Sequence, residues 1–157
     1  MEKKLSHLDK DGMPGMVDVS HKISTSREAK AIGKIIVGEK VMKTLAVDHF
    51  NTKKGSIAQI AVIAGTMAVK NTYNTIPLCH QIPISSCKIN INPIEDAFEI
   101  DCIVKTNSQT GVEMEALNGV TAAALTIYDM CKALTHEMEI KEVKLVRKTG
   151  GKKDYFN

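Results

Sequence analysis

The sequence predicts an α+β fold. Segments with apolar residues at every second position are interleaved with segments repeating every three or four. Their order is strand, helix, helix, strand, strand, helix, strand. That is the ferredoxin-like order, with helices packed on one face of a mainly antiparallel sheet. The chain of 157 residues shows no internal repeat and no low-complexity linker. It is read as a single domain over 1–157, with a polar N-terminal arm over about 1–20 and a flexible Gly/Lys tail over about 149–157.

Each element has its own signal. The arm is polar and carries Gly12, Pro14 and Gly15. "AKAIGKIIV" suits a strand over Ala31 to Val37 with a short lead-in. "GEKVMKTLAVDHF" sets Val41, Met42, Leu45 and Ala46 at helical spacing. After the break "NTKKGS", Ile57 to Val69 contains no charge. Ile57, Ala61, Ala64 and Ala68 share one face of that helix, and Ile60, Ile63 and Met67 share another. Pro77 disfavours helix just before it. Cys87, Ile89 and Ile91 alternate in a strand over Ile84 to Asn92. Phe98, Ile100, Cys102 and Val104 alternate in the next, across the turn "PIEDA". A long helix is expected over Glu113 to Met138, then a strand through "IKEVKLVRK". Two helices are apolar on more than one side, whereas a single sheet covers only one, so an oligomer is expected.

Composition narrows the function. Tryptophan is absent and aromatics make up 4%, so the core must be aliphatic. A net charge of +3 is too mild to imply nucleic-acid binding, and the strands offer Phe98 but no RNA-reading aromatic motif. No apolar run is long enough to span a membrane, and the start lacks a signal-peptide core. Cysteines 79, 87, 102 and 131 show no C-x-x-C spacing, which suits free thiols in the cytoplasm.

Several residues could carry chemistry. Asp129 and Lys132 are the charged residues of Ala116 to Thr135 and share a helix face. In a dry setting the lysine pKa would fall, fitting it for proton transfer; the plainer reading is a structural ion pair. Glu113 and Glu115 stand where acids favour a helix start. As a strand-like lead-in they would point the same way and, with His80, form a ligand or metal cluster. Lys53, Lys54, Gly55 and Ser56 precede a buried helix, where backbone N–H groups attract phosphate. Lys148 to Lys153 form a second cationic loop, with Gly150 and Gly151 allowing close approach to an anion. Arg27 and Arg147 are the only arginines, each suited to phosphate or to a surface salt bridge. "IPLCHQIP" sets Cys79 and His80 between prolines. Neighbours on an extended chain point apart, so Cys79 with His80 reads as a pocket wall rather than a nucleophile and its base.

In order along the chain stand "MVDVS", "REA", "KG", "IAG", "IPLCH", "TGVEMEAL", "AALTIYDMCKA" and "GGK". Together they resemble the molybdenum cofactor biosynthesis protein C family, the cyclic pyranopterin monophosphate synthases, from about Met16 onward. The resemblance implies a homohexamer, a trimer of dimers with active sites at subunit interfaces. It implies a lyase that converts 3',8-cyclo-7,8-dihydroguanosine 5'-triphosphate to cyclic pyranopterin monophosphate and diphosphate. Lys54, Lys132 and Asp129 fall on the family's catalytic positions. Leu78, Cys79, His80, Met114 and Glu115 fall on its substrate contacts, with Glu113 beside them. Arg27, Lys148 and Lys152 fall among its phosphate-handling residues. No cofactor is implied beyond Mg²⁺ as companion of the triphosphate. Ser56 replaces an acidic residue of the pattern, Val62 and Asn71 replace arginines, and Gln81 replaces proline. The competing reading is a non-catalytic oligomeric protein that binds a nucleotide or pterin.

Overall fold

The computed structural model describes Leu8 and residues 11–157. The expected N-terminal arm falls partly outside these residues. Strand β1 spans Thr25–Ile36, starting earlier than its apolar half suggests. Ala29, Ala31, Gly33 and Ile35 face the core, and Glu28, Lys30 and Lys34 face the other side. Gly38, at φ +86°, turns the chain into helix α1, Glu39–Val47, which buries Val41, Met42 and Leu45. Two-residue strands β2 (Asn51–Thr52) and β3 (Gly55–Ser56) form a small hairpin. Helix α2 spans Ile57–Lys70, and its N-cap Ser56 accepts a hydrogen bond from the Gln59 N–H at 3.4 Å. The Ser56 departure therefore has a local role, satisfying one free donor of the helix start.

A short helix α3, Thr72–Thr75, follows, then the irregular segment Ile76–Pro83. Strands β4 (Ser86–Pro93) and β5 (Ala97–Ser108) form the expected hairpin, closed by the Ala97 carbonyl accepting from Ile94 N–H at 2.8 Å. Helix α4 spans Glu113–Cys131. It stops short of the expected Met138 because the Leu134 N–H turns back to the Cys131 carbonyl at 2.8 Å. Strand β6 is Glu139–Thr149.

The sheet runs β4-β5-β1-β6, every pair antiparallel, and a fifth strand, β7 (Tyr155–Phe156), lies beside β6. The tail expected to be flexible is thus paired: Phe156 stands opposite Arg147 and Tyr155 opposite Lys148. This α+β arrangement is compatible with the ferredoxin-like pattern. Helix α4 lies over β1, β5 and β6, and α2 lies over β4. One continuous aliphatic core joins them, with Phe98 meeting Phe50 edge-on at 5.8 Å.

Helices α2 and α4 approach most closely at two glycines. A Cβ on Gly65 would lie 2.8 Å from the Gly119 carbonyl oxygen, and one on Gly119 would lie 2.9 Å from Cys102 Sγ. The buried stripe of α2 is therefore Ile57, Ala61, Gly65 and Val69, rotated from the expected Ala64 and Ala68. Ile63 and Met67 remain about 60% exposed on the opposite side, at 60% and 58%.

Candidate active site

The functional candidates gather at the two ends of α4. At its first turn a cleft runs between the Ile76–Pro83 segment, the loop Gln109–Val112, the arm at Val17 to Lys22, and the turn after β6. Its enclosed end measures about 410 Å³ and its open cationic end about 670 Å³, a size range suited to a small molecule. Lys22, Thr110 and Lys152 border both ends and make the cleft continuous.

Leu78, Cys79, His80, Met114 and Glu115 line the enclosed end. Glu115 is only 4% exposed, and burial pushes its carboxyl up to about 7, with the Glu113 charge acting in the same direction. Burial, then the nearby Glu115, raises the Cys79 thiol. Cys79 is therefore a wall, not an activated nucleophile. The His80 Nε2–H donates to the Val17 carbonyl at 2.8 Å. Glu113 and Glu115 do not point together as a strand-like lead-in would require. Both lie in the first helical turn, where residues two apart diverge. Glu113 instead pairs with Lys148 at 2.9 Å. Among the described residues, no three His, Cys, Asp or Glu side chains form a metal-type group.

Arg27, Glu113, Lys148 and Lys152 line the cationic end. Arg27 Nε donates to the Ser108 carbonyl at 2.9 Å, which fixes its guanidinium. Gly151 lies against that group, since a Cβ there would be 3.5 Å from Arg27 Nη1. Gly150 has φ +81°, and a Cβ on it would strike the Ser26 carbonyl oxygen, so the tight return of the tail requires glycine. The Thr25 hydroxyl donates to the Gly150 carbonyl at 2.8 Å, and the Gly150 N–H donates to Asp154 at 3.1 Å. The other arginine takes the plainer role. Arg147 pairs with Glu28, which also binds Lys105 at 3.1 Å.

Asp129, Lys132 and Lys54 meet at the far end of α4. Asp129 accepts from Lys132 at 2.7 Å and from Lys54 at 3.1 Å. Lys54, at the tip of the β2–β3 hairpin, turns to this carboxylate rather than to the start of α2. The setting is not dry within one chain, because all three side chains are more than half exposed, at 62%, 53% and 54% for Lys54, Asp129 and Lys132. Hydrogen bonding and charge from Asp129 raise the Lys132 pKa, where a dry pocket was expected to lower it. Lys132 and then Lys54 hold Asp129 below the ordinary carboxylate range. Fourteen residues of helix separate Glu115 from Asp129, about 21 Å along the axis at the α-helical rise. One chain thus unites the expected binding residues, and separately the expected catalytic ones, but not the two sets.

Residue spacing missed Val17, Val19, Lys22 and Thr110, which border the cleft. Val17 and Val19 alternate with polar residues, the one local hint that a stretch of the arm has an apolar side.

The fold and cleft define an α+β protein with a small-molecule site that is carboxylate-bearing at one end and cationic at the other. The model of the MoaC family matches residues 16–151, and the chain belongs to that family. A cyclic pyranopterin monophosphate synthase of Xanthomonas axonopodis pv. citri is 50% identical over 152 residues, covering 96% of this chain and 92% of the relative. The enzyme of the same name from Thermoanaerobacter pseudethanolicus is 48% identical over 155 residues, covering 97% and 96%. A molybdenum cofactor biosynthesis bifunctional protein of Synechocystis is 49% identical over 154 residues, covering 95% of this chain and 44% of that protein.

Proposed function

We propose that this chain is a cyclic pyranopterin monophosphate synthase, a lyase of molybdenum cofactor biosynthesis. Its substrate would be 3',8-cyclo-7,8-dihydroguanosine 5'-triphosphate, and its products the cyclic pyranopterin monophosphate and diphosphate. The observation that carries the reading is the continuity of the cleft from buried Glu115 to Arg27, Lys148 and Lys152. The apolar, carboxylate-bearing end suits a purine-derived ring, whose N–H groups a carboxyl can accept. The cationic end suits the phosphates. Mg²⁺ would arrive with the triphosphate. The carboxylates at that end, Glu113 and Asp154, are already paired with Lys148 and the Gly150 N–H, which leaves the phosphates as its main ligands.

Ring rearrangement needs protons moved, and Lys54, Asp129 and Lys132 are the groups for it. Asp129 keeps Lys132 an ammonium, so Lys132 enters as proton donor and as a cation for developing negative charge. The distance between the two ends of α4 favours binding without reaction in an isolated chain. Assembly resolves this: the acid–base end of one protomer closes the cleft of another. Exposed Ile63 and Met67 on α2 and Leu125 on α4 supply apolar surface for that contact. A homohexamer, a trimer of dimers in the cytoplasm, fits these demands. Among the described residues, no helix is long and apolar enough to cross a membrane.

The test is to supply the cyclic dihydro-nucleotide and measure diphosphate and pyranopterin release. Wild-type protein should turn over, and Lys132→Ala should lose at least about 100-fold while keeping its native mass. Tight binding without any product would leave the non-catalytic reading in its place.

A further inference from the structure

The β2–β3 hairpin carries Lys54 to Asp129, and one side chain closes its tip. Thr52 stands opposite Gly55 in the ladder, so Lys53 and Lys54 make the turn. The Thr52 hydroxyl accepts from the Lys54 N–H at 3.1 Å and donates to the Gly55 carbonyl at 3.2 Å. One oxygen thus ties both sides of the turn through backbone groups close by in sequence. The base of the hairpin is held separately. The Phe50 N–H donates to the Leu45 carbonyl at 2.8 Å, the Ile57 N–H donates to the Phe50 carbonyl at 3.1 Å, and the Phe50 ring meets Phe98. From this frame Lys54 reaches Asp129 at 3.1 Å, across 75 residues of sequence. The turn holds two lysines, so its register matters. A slip of one residue would present Lys53 in place of Lys54. A long side chain on a loosened tip would also spread over many positions, at a cost in entropy whenever it met Asp129.

We propose that Thr52 is a positioning residue for the acid–base end: its hydroxyl sets the hairpin tip so that Lys54, and not Lys53, meets Asp129 and the reacting group. Lys132 needs no such help, because it lies three residues from Asp129 at the end of α4. Lys132 first and Lys54 second hold Asp129 ionised. Loosening the tip removes the second contribution and leaves the first. That Lys54 moves a proton rests on the function proposed above; that Thr52 sets its place does not.

Two measurements on the full protein test this. Thr52→Val keeps the branched shape and the strand preference but lacks the hydroxyl. Its kcat should fall about fivefold, the loss expected from a hydrogen-bonding hydroxyl, while KM stays within about twofold. Thr52→Ser, which returns the hydroxyl, should recover most of the rate. Unchanged kcat in Thr52→Val, or no recovery in Thr52→Ser, overturns the proposal. The second readout does not involve turnover: an NMR titration of the Asp129 carboxyl carbon. Thr52→Val should raise the Asp129 pKa part of the way towards that of Lys54→Met. Added to Lys54→Met, the same substitution should change nothing further, because the two act through one contact. An equal rise in both backgrounds, or no rise in either, overturns action through Lys54. Absence of turnover in wild type would instead refute the proposed reaction, leaving the titration to judge Thr52.

Discussion

At the scale of single residues, burial sets Glu115 apart from the other carboxylates around the cleft. Its proton is held up to about 7, mainly by loss of solvent. The folded chain therefore binds this proton more tightly than the unfolded chain, whose carboxyl titrates near 4.5. The resulting stabilisation is full below pH 4.5 and is lost as pH rises through about 7. Glu115→Gln keeps the shape and removes the charge. Its melting temperature should match wild type near pH 4 and exceed it by several degrees near pH 8, a gain on the order of 3 kcal/mol. Thermal melts across that range check it, and a constant difference at every pH would refute the buried-charge account. Asp129 shows the opposite case. Paired with two lysines and open to solvent, it is held ionised by its partners. A dry Asp129–Lys132 pair requires a cover over this end of α4 that a single chain does not supply. In one chain, Leu125, on the same stretch of α4, is itself 57% exposed.

At the scale of elements, the crossing of α2 and α4 governs where the cleft lies, because α4 carries Glu113 and Glu115 in its first turn. The crossing depends on Gly65 and Gly119 being side-chain-free. A Cβ on Gly65 meets backbone of the facing helix, which cannot rotate away as a side chain would. Gly65→Ala should therefore destabilise by about 1–2 kcal/mol even though alanine favours helix. A drop of several degrees in melting temperature, at fixed protein concentration, is the expected result. The elements that could be read directly were those with one clear period: α2 from its uncharged run, and β4 and β5 from alternation. The end of α4 was overextended because Ala133 and Leu134 continue an apolar pattern after the helix has turned. The strand β7 was missed because Tyr155 and Phe156 gain a ladder only by meeting Arg147 and Lys148 across a glycine turn. That partnership has no local signature. The first four residues of β1 were missed for a related reason: "TSRE" is polar, and its strand character comes from its ladder with β5.

At the scale of the whole molecule, one rigid helix presents its first turn to one cluster and its last turn to another. Chains carrying complementary defects should therefore rescue each other. Arg27→Ala and Lys132→Ala proteins, each nearly inactive, should regain up to roughly a quarter of wild-type turnover after unfolding and refolding together, as random pairing of two chain types would give. No recovery would mean that each active site is built from one chain. The Asp129–Lys132 pair was legible from its helical spacing, and the cleft residues were legible through the family motifs. Lys54 meeting Asp129, and His80 meeting Val17, were not, because each joins segments far apart in sequence through a fold that had first to be known. The returning tail carries a practical consequence. Asn157 N–H donates to the Val146 carbonyl at 2.9 Å, and Tyr155 borders the cationic end. Tyr155 stands opposite Lys148, so a small fluorophore on a Tyr155→Cys variant would sit beside the cationic end and should report the arrival of an anion there optically.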